Sequence, residues 1–157
     1  MVNMESHILV LGLGNLLMGD EGIGVRSIEY MQDFAFPEQV RLLDGGTGGF
    51  HLLSLFKEYD RFIIIDATLG GDTLGEIQVL KPRFASDFPR SLTSHDIGLR
   101  DLMQSAELIG DLPEIYLITI NISEFNKVRI GLSQNMEKCL PAVHRTVNKI
   151  LQEMDQA

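Results

Sequence analysis

The chain has 157 residues, a hydrophobic share of 45% and a net charge of −9, enough apolar side chain for a single packed domain over 1–157 but without the basic footprint that nucleic-acid binding requires. No apolar run approaches the roughly 18 residues of a membrane span, and Met1 to His7 is too short and polar for a secretion signal. One cysteine, Cys139, excludes an internal disulfide and fits a reducing, cytoplasmic setting.

The first strand is predicted at His7 to Leu11, where an apolar run breaks into Gly12-Leu13-Gly14. The first helix follows over Ile23 to Met31. Val40 to Leu43 reads as a short second strand, ending in the glycine-rich loop Asp44-Gly45-Gly46-Thr47-Gly48-Gly49. Phe50 to Phe56 carries Leu52, Leu53 and Phe56 at helical spacing. Arg61 to Ile65 is a continuous β-branched and aromatic run, as expected of a strand covered on both faces, and it stops at Asp66. Leu74 to Leu80 alternates loosely, as an edge strand does, and Lys81-Pro82 ends it. Residues 83–94 read as irregular, with Thr93 or Ser94 capping a helix that starts near His95. Ile115 to Ile122 is a further apolar strand. Ser133 is predicted to cap the last helical region, which Pro141 kinks or restarts. Met136, Leu140, Val143, Val147, Ile150 and Met154 share one face of it. Strands alternating with helices imply an α/β sandwich with a largely parallel sheet. The functional site is then expected beyond the carboxyl ends of the strands.

The loop from Gly12 to Gly24 has the outline of a nucleotide-binding turn, in which a helix N-terminus grips phosphate. Its chemistry is the reverse. Asp20 and Glu21 repel phosphate and attract a metal ion or a proton. Leu17 stands where the dinucleotide fingerprint needs its third glycine, and Asp44 lies farther on than the acidic residue of that fingerprint. No nucleotide cofactor is therefore expected.

Glu21, Asp66 and His95 fall where each can reach the same rim of the sheet. Together they form a mixed oxygen and nitrogen set suited to zinc, nickel or another first-row metal, with a position left open. Each also has a plainer reading: Glu21 as a carboxylate at a helix start, Asp66 as a loop cap, His95 as a surface or capping histidine. The Asp44–Gly49 loop holds more glycine than a plain connection needs and suits a wall lying against an extended peptide. Asp20 is open to two roles, general base or helix cap. Cys139 is expected in the core, away from the rim, and His7, His51 and His144 in structural or solvent roles. Nucleophilic catalysis finds no Gly-x-Ser-x-Gly elbow.

Gly14 to Gly24, Asp44-Gly45-Gly46-Thr47, Ile65-Asp66-Ala67, Ser94-His95-Asp96-Ile97-Gly98 and Gly131-Leu132-Ser133 resemble, in order, the hallmarks of the hydrogenase maturation endopeptidases. The resemblance spans nearly the whole chain. It implies a three-layer α/β/α sandwich on a five-stranded mostly parallel sheet with one antiparallel edge strand, which suits Leu74 to Leu80. It also implies an endopeptidase that removes the C-terminal extension of a nickel–iron hydrogenase large-subunit precursor after nickel insertion. The family's metal-binding carboxylates fall on Glu21 and Asp66, and its histidine on His95. Many members carry a proline-containing segment where this chain has Ser123-Glu124-Phe125, a difference that bears on one cleft wall and on the choice of substrate.

Two mechanisms fit these residues. In the preferred one, the triad engages nickel already held by the substrate. In the other, it holds an ion of its own, although His-Glu-x-x-His is absent. The expected partner is the hydrogenase large-subunit precursor and the expected state a monomer. A non-catalytic nickel-sensing or chaperone protein that binds the precursor is the alternative.

Overall fold

The computed structural model describes residues 7–49, 51–90, 99–124 and 128–155. Five strands form one sheet in the order β2-β1-β3-β5-β4: β1 is Ile8–Gly12, β2 Val40–Asp44, β3 Arg61–Thr68, β4 Ile77–Leu80 and β5 Glu114–Asn121. All neighbours run parallel except β4, which lies antiparallel to β5 at the edge. The helices are α1 (Ile23–Met31), α2 (Leu52–Glu58), α3 (Leu99–Ile109), α4 (Gln134–Glu137) and α5 (Leu140–Asp155).

Strand residues alternate between two cores, as a period of two requires. Ile8, Val10, Ile63, Ile65, Tyr116 and Ile118 pack with residues of α1 and α5 on one face. Leu9, Leu11, Phe62, Ile64, Ile115 and Leu117 pack with residues of α2 and α3 on the other. Every strand residue from Phe62 to Ile65 is fully buried, because helices cover both faces. The expected three-layer sandwich and its antiparallel edge strand are both present.

Most elements lie within a few residues of their expected positions, and α1 has the expected bounds. Two strands differ in an informative way. β3 does not stop at Asp66; its ladder with β5 continues to Thr68 opposite Asn121, so Asp66 sits inside the strand, opposite Thr119. β4 begins only at Ile77, because Gly75 turns the chain at φ +80° before the ladder starts. Pro141 restarts rather than kinks the helix. α4 ends at Glu137, and α5 opens at Leu140 with the proline in its first turn, where a missing N–H costs nothing.

The strand order fixes where a site can form. From β1 the chain crosses by α1 to β2 on one side; it then returns by α2 to β3 on β1's other side, with α1 and α2 on opposite faces. The two crossovers leave a crevice between the carboxyl ends of β1 and β3, the topological switch point at which sheets of this kind bind ligands.

Candidate functional site

The loop after β1 closes this crevice by packing backbone on backbone. The Leu13 N–H donates to the Ile65 carbonyl at 2.9 Å, which carries the chain past the end of β1 while it stays docked on β3. Gly24, in the first turn of α1, lies directly on the Leu13 and Ile65 carbonyls. A Cβ there would also stand 2.8 Å from the Leu13 nitrogen. A Cβ on Gly14 would stand 2.9 Å from the Gly22 Cα, and one on Gly12 would meet the Gly24 carbonyl. The glycines of this segment therefore serve close approach of two backbone stretches.

That packing places the two carboxylates. Glu21 sits in a 3-10 turn, Gly19–Gly22, which leads into α1 and touches β3. Asp66 is the first residue of β3 beyond its ladder with β1, which ends at Gly12 opposite Ile65. Both are buried, at 3% and 1% exposure, and they are the two buried acidic side chains among the described residues. Asp66 shares its strand parity with Phe62 and Ile64, so it belongs to the face that α3 covers. Its Oδ1 accepts the Ala67 N–H at 2.8 Å. His95, the third residue of the expected set, lies outside the described residues, as do Thr93, Ser94 and Asp96. Among the described residues no group of three or more His, Cys, Asp and Glu side chains is placed to hold a metal ion.

The second glycine loop is part of the same rim. The Gly45 N–H donates to the Gly12 carbonyl at 2.8 Å, and the Gly14 N–H donates to the Gly46 carbonyl at 2.7 Å. Asp44 closes its own turn, its Oδ1 accepting the Gly46 N–H at 2.7 Å. Asp44 and Thr47 are exposed, Gly46 is partly so, and Gly45 is buried beneath them. A loop expected as a wall thus runs directly beside the Glu21 loop, hydrogen-bonded to it.

Two features were not legible in the sequence. Asp20 does not cap its own helix: its carboxylate accepts both the N–H and the hydroxyl of Ser133, at 2.8 and 3.0 Å. Ser133 does stand at the N-cap of α4, but with no capping bond from its side chain, because its hydroxyl is engaged by Asp20. Asn121, at the end of β5, donates from Nδ2 to the Thr73 carbonyl and accepts the Gly71 N–H at Oδ1, tying the β3–β4 loop to the rim. A polar residue near the end of an apolar strand was the sequence signal for it.

Cys139 is not a core residue remote from the rim. It is half-buried in the turn between α4 and α5, with Sγ 3.3 Å from the Asn135 carbonyl and facing the Gly75 carbonyl at the carboxyl end of the sheet. The short α4 folds the chain back and brings the thiol there. Partial burial, and secondarily the Asp20 charge, push the thiol above its ordinary value of 9.0. Alkylation by iodoacetamide should accordingly be slow at neutral pH, with a rate that rises through an inflection above 9.0. Mass-spectrometric rate measurements across pH check this, and an inflection at or below the ordinary value would contradict it. The remaining histidines are structural or exposed: His144 packs against Phe34, Tyr30 and Phe36, His7 lies edge-on to Tyr59, and His51 is exposed.

Sequence comparison matches residues 25–153 to the family described as hydrogenase maturation protease. The hydrogenase expression/formation protein HupD of Bradyrhizobium diazoefficiens is 36% identical over 71% of this chain and 60% of its own length. The hydrogenase 2 maturation protease of Escherichia coli is 33% identical over 90% of this chain and 88% of its own. The solved structure of the hydrogenase maturating endopeptidase HybD from E. coli superposes with a TM-score of 0.81 at 32% identity, over 94% of this chain and 93% of that one. A NiFe hydrogenase maturation protease HycI from Thermococcus kodakarensis shares the fold at 18% identity, with a TM-score of 0.71. The match takes in about three fifths of the length of the HupD and HupM proteins of Bradyrhizobium and Azotobacter chroococcum.

Proposed function

The chain belongs to the hydrogenase maturation protease family, and from that premise we propose that it is an endopeptidase that removes the C-terminal extension of a nickel–iron hydrogenase large-subunit precursor. The observation that carries this reading is the pair of buried carboxylates, Glu21 and Asp66, at the switch point between β1 and β3. Two acidic side chains at the rim of one crevice repel phosphate and suit a positively charged group or a metal ion.

In this reading Glu21, Asp66 and His95 engage nickel that the precursor already carries. Two carboxylates and an imidazole are a donor set that suits a first-row divalent ion. An enzyme that recognises the substrate's metal acts only after insertion, since the precursor completes the site. A bound divalent ion beside the scissile bond supplies a polarised carbonyl or an activated water. The loop Asp44-Gly45-Gly46-Thr47 lies along the extended peptide, with Asp44 and Thr47 facing outward. The protein acts as a monomer, without nucleotide. Among the described residues no helix is long and apolar enough to cross a membrane.

The second reading is a non-catalytic receptor for the nickel-bearing precursor, which would use the same buried carboxylates, Glu21 and Asp66. Turnover separates the two. Purified protein at substoichiometric amount is mixed with purified nickel-loaded precursor, and the large subunit is weighed by mass spectrometry. The endopeptidase reading expects one C-terminal peptide released from every precursor molecule. Tight binding that leaves the precursor at full mass would assign the receptor role.

A further inference from the structure

We propose that Asp20 and Ser133 are positioning residues for Glu21, an inference that rests on Glu21 as the carboxylate that engages the substrate's metal. Three observations carry it. Asp20 immediately precedes Glu21 within the same 3-10 turn, so displacement of one moves the other. Both oxygens of its carboxylate are used on a single residue 113 positions away, as two charge-assisted bonds to the Ser133 N–H and hydroxyl. The same turn is held again on its N-terminal side. There the Gly19 N–H donates to the Arg129 carbonyl at 2.7 Å, the Arg129 N–H donates to the Leu17 carbonyl at 3.0 Å, and Met18 and Arg129 form an isolated parallel bridge.

The arrangement makes segment 129–133 an outside brace for the Glu21 turn. From the inside, Gly24 and the Leu13–Ile65 bond seat the turn on β3. From the outside, Arg129 and Ser133 fix its remaining freedom. A one-turn 3-10 element has few internal bonds of its own, and the Glu21 N–H reaches the Met18 carbonyl only at 3.3 Å. Its orientation is therefore set by these external bonds. Ser133 shows the cost on its own side, leaving α4 without a side-chain cap. A carboxylate that must meet a metal delivered by another protein gains from this bracing, because the backbone that carries it is fixed before the substrate arrives.

The test combines kinetics with amide hydrogen exchange on the full chain. Asp20→Ala removes both bonds and is expected to lower kcat for nickel-loaded precursor by about 10²-fold and to raise its KM, because the displaced Glu21 also contributes to holding the precursor's metal. Ser133→Ala removes one bond and is expected to lose roughly tenfold. Ser133→Thr keeps the hydroxyl and Asp20→Asn keeps an acceptor for the N–H, so both should recover most of the loss. A merely structural brace would lower the melting temperature in step with activity and would show no such rescue. The exchange arm is independent of catalysis: protection of the Glu21 and Gly22 amides should fall about tenfold in Asp20→Ala while the β3 amides stay protected. If the wild-type chain cuts no precursor, the proposed function fails, and the exchange arm still decides whether the brace holds the turn. Unchanged kcat in Asp20→Ala with an active wild type, or unchanged protection of Glu21 and Gly22, overturns the inference.

Discussion

Glu21→Gln and Asp66→Asn are each expected to lower cleavage of nickel-loaded precursor by roughly 10³-fold or more, with little change in melting temperature. Both substitutions keep side-chain volume, so neither opens a cavity at a site where both carboxylates are buried. Asp66→Asn also keeps an oxygen for the Ala67 N–H. Each removes the charge and replaces one acceptor oxygen by an NH2 group, and the amide oxygen that remains is a far weaker partner for a divalent ion. Binding and chemistry separate in the same experiment. If the carboxylates serve metal recognition, the variants should also retain less nickel-loaded precursor on a size-exclusion column, while nickel-free precursor behaves alike with all three proteins. Full activity in either variant would remove that residue from the site.

Gly24→Val is expected to destabilise the fold by about 3 kcal/mol or more, and so to lower the melting temperature by on the order of 10 °C. The cause is not backbone conformation. Gly24 lies in α1, and its missing side chain leaves room for the Leu13 and Ile65 carbonyls, which press on it directly. The Ile65 oxygen cannot withdraw without weakening the Leu13–Ile65 bond that docks the loop on β3. The substitution therefore also displaces Glu21, three residues away, and should abolish cleavage at temperatures where the protein remains folded. Gly46→Ala is the control. Gly46 has φ +56°, and a Cβ there would have no atom within 4 Å, so the substitution should cost only the left-handed backbone penalty of about 1 kcal/mol. Calorimetry of the two variants distinguishes close approach from conformation, and equal effects would contradict this account of the loop.

The sequence carried the layered fold because its strands are short apolar runs between amphipathic helices. That pattern survives without any long-range information, as the bounds of α1 show. Asp66 misled for a physical reason: a carboxylate after four apolar residues looks like a strand end. In fact β5 outruns β1 and keeps pairing with β3 through Thr68. The position remained useful, because the end of β1, not of β3, defines the crevice. Glu21 was legible from the clash between a phosphate-type turn and two acidic side chains. The Asp20–Ser133 brace was not, since nothing local in either segment points to a partner 113 residues away. Cys139 escaped for a similar reason: its environment depends on how the short α4 turns back towards Gly75.

The most direct test of the account is cleavage of one purified large-subunit precursor prepared in parallel with and without nickel, followed by intact mass. The account predicts loss of the C-terminal peptide from the nickel-loaded form alone, with the nickel-free form left at full length through the same incubation. Equal cleavage of both forms would contradict the claim that Glu21, Asp66 and His95 read the substrate's metal.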